Sequence, residues 1–218
     1  TDYFTSYLPA LIALPVMGID RRHFETAFRL RSFELHNSGK TQDAIAVLEE
    51  GVTRFGDEST NLQLLLATLL ADREDIEDAT LRLERLGRTL EKRKSILTSA
   101  TKNTLPQVSR IEAEEEITNQ FWRLSVLQGQ LCLRQNMLSD AITKLKQTVN
   151  LAGTASPEQK IWALKLLAKT YEKQELWDLA GNTLEQAAFL DAGGDSLRLQ
   201  AAQAWMNAGN IERASESC

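Results

Sequence analysis

The amino-acid sequence predicts an all-α chain of consecutive helix–turn–helix units, and three observations predict it. Gly (11) and Pro (4) are scarce among 218 residues and aromatic residues make up only 6%, so the turn formers and β-rich side chains of a sandwich or barrel are missing. A hydrophobic fraction of 43% with 25% charged residues belongs to a folded globular chain, not to a disordered or collagen-like one. The third observation, a recurring spacing of small residues, places the helices.

Five stretches put an alanine five residues after a turn position: Gly39 to Ala44, Glu74 to Ala79, Asn136 to Ala141, Glu175 to Ala180 and Gly209 to Ala214. Seven residues before each turn position stands another small residue, Ser32, Ala67, Gly129, Ala168 or Ala202. Three residues beyond that come the bulkier Leu35, Leu70, Cys132, Tyr171 and Trp205, and Leu48, Leu83, Leu145 and Leu184 follow four residues after the first four alanines. This is the pattern of two helices joined by a tight turn and crossing so closely that only small side chains fit at the contact, with large ones filling the space beside it.

The alanines are 35, 62, 39 and 34 residues apart, and two of these intervals sit at the ~34-residue period of a tetratricopeptide array. The chain resembles the tetratricopeptide repeat family in degenerate form. Its best copy runs through Leu167, Ala168, Tyr171, Trp177 and Ala180, and the repeat-like text covers about residues 25–86 and 108–218. No copy carries the usual terminal proline; Gly56, Gly153 and Ala192 stand there instead. The resemblance implies a right-handed α-solenoid of stacked helix–turn–helix repeats, at about 25–58, 60–93, 122–155, 161–194 and 195–218.

Taken in order, residues 1–24 fit no full copy, and Pro9 and Pro15 interrupt any long helix, so this segment is expected to be a cap or part of a preceding repeat. The 62-residue interval exceeds the period by about 28 residues, an insertion spanning about 88–120. Leu83, Leu86, Leu90, Leu97 and Ala100 keep a three-four rhythm, Asn103 and Pro106 break it, and Ile111, Ile117, Phe121 and Leu124 resume it. Two overlong helices, Ile76 to Thr101 and Gln107 to Arg134, are therefore expected to form an antiparallel arm projecting from the array. The alternatives are an additional degenerate repeat and a disordered linker around 100–110. A loop at Ala152–Pro157 absorbs the longer interval between the third and fourth alanines. The chain starts at Thr1 without Met and stops inside the second helix of a repeat, so it reads as a fragment of a longer protein.

Catalytic and cofactor signals fail when tested against their chemistry. Ser38-Gly39-Lys40-Thr41 mimics the end of a phosphate loop, but such a loop needs a glycine where Glu34 stands, and a helix-ending glycine explains Gly39. His23 and His36 lack metal-ligand spacing. Cys132 falls at a core position, where a thiol acts as a small hydrophobe, and Cys218 is a chain-end residue. The Glu114-Glu115-Glu116 run reads as solvated charge. No catalytic residue, metal or cofactor is expected, and the chain does not read as an enzyme. The run from Tyr7 to Gly18 is too short and too broken by proline to cross a bilayer. Nothing fixes the compartment.

A formal charge of −5 argues against a broad nucleic-acid surface. The resemblance implies that first helices line a concave groove. Their outward positions are Arg29 and Phe33 in the first copy, Leu64 among others in the second, Arg123, Val126 and Arg134 in the third, Trp162, Lys165, Lys169 and Lys173 in the fourth, and Leu199 in the fifth. Basic residues outnumber acidic ones there, against the sign of the whole chain. The expected function is a non-catalytic interaction scaffold that takes an acidic protein or peptide segment in the groove, with Phe33 and Trp162 as apolar anchors. The lysine and asparagine positions of tetratricopeptide domains that clamp chaperone C-termini hold Phe33 and Leu65 here, so that clamp is not expected. The first alternative is self-association through the open C-terminal edge or an arm seam of Leu90, Leu97, Phe121 and Leu124. A weaker alternative is binding of RNA or an acidic polysaccharide.

Overall fold

A computed structural model describes residues 21–56, 59–100, 107–151, 156–191 and 193–217. Among these lie ten helices: α1 (Arg21–Asn37), α2 (Thr41–Phe55), α3 (Thr60–Asp72), α4 (Ile76–Ala100), α5 (Gln107–Arg134), α6 (Leu138–Asn150), α7 (Pro157–Lys173), α8 (Trp177–Leu190), α9 (Asp195–Asn207) and α10 (Ile211–Glu216). There is no strand among the described residues. The chain divides into two compact units, Thr1–Ser95 and Ile96–Cys218. In the first, α1 packs on α2 and both pack on α3. In the second, successive helices from α5 to α10 pack on one another, and α5 also meets α7 across α6.

One turn geometry recurs at all five positions read from the spacing. Gly39, Glu74, Asn136, Glu175 and Gly209 adopt left-handed φ values of 77, 68, 59, 59 and 79°. The next residue then donates its N–H back to the first helix: Lys40 to the Leu35 carbonyl, Asp75 to Leu70, Met137 to Cys132, Leu176 to Tyr171 and Asn210 to Trp205, at 2.8 to 3.0 Å. That six-to-one bond closes the helix C-terminus as a Schellman turn. The carbonyl of the same residue accepts the N–H of Ala44, Ala79, Ala141, Ala180 or Ala214 at 3.0 to 3.1 Å, opening the second helix. A single residue thus joins both helices, which fixes the five-residue spacing.

The small residues mark close crossings. Ala44, Ala79, Ala141 and Ala180 are fully buried and Ala214 is 6% exposed, and Ser32, Ala67, Ala168 and Ala202 on the first helices are buried as well. At Gly129 an added Cβ would lie 2.7 Å from the Leu145 side chain. At Gly181 it would lie 2.6 Å from the Trp205 indole. That indole is pinned by a bond from its Nε1–H to Glu185 (2.8 Å) and by the Arg213 guanidinium 4.7 Å from its ring centroid. Buried hydroxyls within helices are satisfied locally: Thr148, Thr170 and Thr183 donate to carbonyls four residues back. In the first unit Phe55 meets Phe28 edge-on at 5.8 Å, and Leu48, Leu62 and Leu66 fill the interior. Each such fully buried side chain contributes about 1.5–3 kcal/mol.

The long helices α4 and α5 run for 25 and 28 residues. The break between them, with Asn103 and Pro106, lies outside the described residues, as do residues 1–20, the loop positions 152–155, Ala192 and Cys218. The apolar seam ascribed to an arm is corrected in part: Leu90 and Leu124 are buried, at 0% and 3% exposure. Cys132 is half-buried, not enclosed, and burial raises its thiol above the ordinary range, with Asp140 adding to the shift.

Candidate functional site

The face that best matches the expected groove lies on α7. Ser156 and Gln159 begin this helix with a reciprocal capping box, the Gln159 N–H donating to Ser156 Oγ and the Ser156 N–H to Gln159 Oε1 (3.3 and 3.0 Å), and Pro157 follows at the first helical position. This end fixes the register of the whole helix. Ala163, Leu164, Leu167, Ala168 and Tyr171 go inward, leaving Trp162, Lys165, Lys169 and Lys173 exposed along the other side. Trp162, 42% exposed, leans on the buried Trp122 of α5 with ring centroids 6.3 Å apart. Because α5 and α7 pack together, Arg123 and Arg134 of α5 lie on the helix neighbouring the lysines; both already have partners within the protein.

Three lysines at four-residue intervals repel one another, at about 0.2–0.5 kcal/mol per like-charged pair in an isolated helix. No carboxylate among the described residues forms an ion pair with Lys165 or Lys173. Glu172 shares the helix with them, and burial holds its carboxyl above the ordinary carboxylate range while the charge of Lys169 acts in the opposite sense. The column is therefore a positive strip with one titratable, half-buried carboxyl beside it.

In the first unit, Arg29 and Phe33 are both exposed on α1, Phe33 by 61%, with Leu30 exposed beside them. The structure does not expose every residue assigned to the face. Leu64 and Val126 are 1% and 2% exposed. Leu64 belongs to α3, which has α1 and α2 packed against it, and Val126 is covered with Trp122 and Ala163 where α5 meets α7. Leu199 of α9 is exposed. Sequence reasoning missed the pocket formed by Val149, Lys160, Leu164, Gln186, Phe189 and Leu190 at the ends of α6, α7 and α8. Among the described residues no group of three or more His, Cys, Asp and Glu is placed to hold a metal ion, and no helix is long and apolar enough to cross a membrane.

No family model matches the chain, and a search of curated proteins finds no match. Solved structures do match. MamA from Desulfovibrio magneticus RS-1 is 14% identical with a TM-score of 0.60, over 91% of this chain and 92% of that one. The tetratricopeptide-like repeats of a putative kinesin light chain from Podosopora anserina are 17% identical with a TM-score of 0.61, over 92% and 93%. YrrB, described as a tetratricopeptide protein with an unusual peptide-binding site, is 14% identical with a TM-score of 0.54, over 88% and 81%. Identities this low carry the fold and nothing finer, and with the five recurring turns they give this chain the tetratricopeptide-type helical-repeat fold.

Proposed function

We propose that this chain is a protein-interaction scaffold that captures an acidic peptide or protein segment on the α5–α7 face. Lys165, Lys169 and Lys173 supply the charge, Arg123 and Arg134 extend it, and Trp162 gives an apolar anchor. In the first unit Arg29 and Phe33 offer the same pairing of cation and exposed aromatic on α1. No residue has a catalytic, cofactor or metal-binding part in this reading. The carrying observation is the exposed lysine column without carboxylate partners at Lys165 and Lys173, set beside a half-exposed tryptophan on a helix whose other side is buried. An acidic ligand relieves the repulsion along the column and adds charge-assisted hydrogen bonds. The measurement is fluorescence anisotropy with a labelled glutamate-rich dodecapeptide. Lys165→Glu with Lys169→Glu is expected to weaken binding more than about tenfold, the scale of two lost charge contacts with repulsion added. Equal affinity of the double variant and the parent would remove the assignment.

A second reading is self-association through the edge made by α9 and α10, where Leu199, Met206 and Ile211 are exposed. Clustered exposed apolar residues mark interfaces. Sedimentation velocity across a hundredfold concentration range tests it, with a constant monomer mass counting against it.

A further inference from the structure

The helix ends of the second unit hold a cavity of about 340 Å³, within the range of roughly 300–1,000 Å³ typical of ligand sites. It lies away from the lysine column. Lys160, which lines it, is five residues from Lys165, or about 140° around the helix. Val149 from the last turn of α6, Leu164 from α7 and Leu190 from the last turn of α8 give it an apolar lining. Beside them stands Phe189, 90% exposed, which makes it the most exposed large apolar side chain among the described residues.

The polar side chains in the lining are two. They are the Lys160 ammonium and the Gln186 amide. No carboxylate among the described residues pairs with Lys160, and the nearby Asp191 instead accepts the Gly193 N–H at 3.1 Å. An apolar chamber with an exposed aromatic, one cation and one amide suits a guest that is apolar at its tip and anionic next to it. The amide can pair with a peptide group, which a simple acyl chain lacks.

We propose that this cavity is a second docking site, for a peptide segment whose bulky apolar side chain enters between Leu164 and Phe189 while an adjacent carboxylate meets Lys160. It is separate from the acidic-segment face on α5 and α7 and stands whether or not that face binds.

The test is a titration of the 218-residue chain, followed by backbone amide NMR, with three acetylated and amidated octapeptides. One carries a central phenylalanine–glutamate pair, one phenylalanine–glutamine and one alanine–glutamate. The first is expected to shift the amides of Val149, Lys160, Leu164, Phe189 and Leu190. Glutamine for glutamate, or Lys160→Ala, should each weaken it about three- to fivefold without adding to each other, the scale of one exposed ion pair. Alanine for phenylalanine, or Phe189→Ser at an exposed position that leaves the helical circular dichroism intact, should weaken it more than about tenfold. Lys165→Glu with Lys169→Glu should leave this binding unchanged, which separates the two sites. Shifts confined to the lysine column, indifference to Phe189→Ser, no binding of any peptide, or binding of decanoate in place of the peptides would each overturn the proposal.

Discussion

The helix crossings and the turns beside them obey different physics, although each repeat needs both. At the crossings the sequence has little freedom: Ala44, Ala79, Ala141 and Ala180 have no accessible surface, so any larger group must displace a neighbour. At the turns the backbone is equally constant but the residues are not, with Gly39 and Gly209 sharing their left-handed conformation with Glu74, Asn136 and Glu175. A glutamate in that region costs about 1–2 kcal/mol relative to its preferred conformations. The packing of the two helices outweighs that cost, so the turn follows from the crossing.

The sharpest way to break this relation is at a crossing itself. Ala168 is fully buried, and Ala168→Arg adds both excess volume and an unpaired buried charge. The expected loss exceeds the ~1–3 kcal/mol of apolar overpacking alone. Loss of cooperative thermal unfolding in the second unit checks it; a variant that melts like the parent would show that the contact is not tight.

A finer test compares two glycines at crossings. Gly181→Ala pushes a methyl against the Trp205 ring, which is rigid and held by Glu185 and Arg213, and should cost about 2–3 kcal/mol. Gly129→Ala meets the flexible Leu145 side chain and should cost nearer about 1 kcal/mol. Urea unfolding of both variants decides; a larger loss at Gly129 would contradict the claim that neighbour rigidity sets the cost.

The turns predict the opposite sign. Glu74→Gly and Glu175→Gly relieve the left-handed strain and should each stabilise by up to about 1 kcal/mol, whereas Gly39→Ala should destabilise by about 1 kcal/mol. Shifts in urea midpoint are the readout. Destabilisation by both glutamate replacements would mean that these side chains contribute more than their strain costs.

How far the sequence revealed the molecule follows the same division. The crossings were legible because a tight contact selects small residues at a fixed distance from the turn, and that distance located even the turns made by Glu74 and Glu175, which carry no turn propensity of their own. The ends of α5 were legible too, since Gln107 and Arg134 bound an apolar rhythm. The helical projection anticipated the exposure of Trp162 and its lysines but not the burial of Leu64 and Val126. Projecting one helical wheel onto every copy assumes equal coverage, and neighbouring helices cover those two. The cavity at Phe189 left no periodic trace, because Val149, Leu164 and Phe189 converge only when three helices meet.

The smallest effect is expected at Glu172, where the crossing's burial reaches into the lysine face. Burial is the larger influence and raises the carboxyl above its usual 4.5, with Lys169 opposing. A raised native value means that the folded chain binds more protons than the unfolded one in the window just above pH 4.5. Stability associated with this group therefore falls as pH rises through that window and recovers on acidification. Glu172→Gln removes the ionisation, so the variant should have the higher urea midpoint at pH 7, with the advantage shrinking as the pH is lowered to that of an ordinary glutamate. The carboxyl is partly solvated, so the difference should be small. A variant less stable than the parent at pH 7 would mean that the pairing of Glu172 with Lys169 outweighs its burial, and the strip on α7 would then be partly neutralised by its own helix.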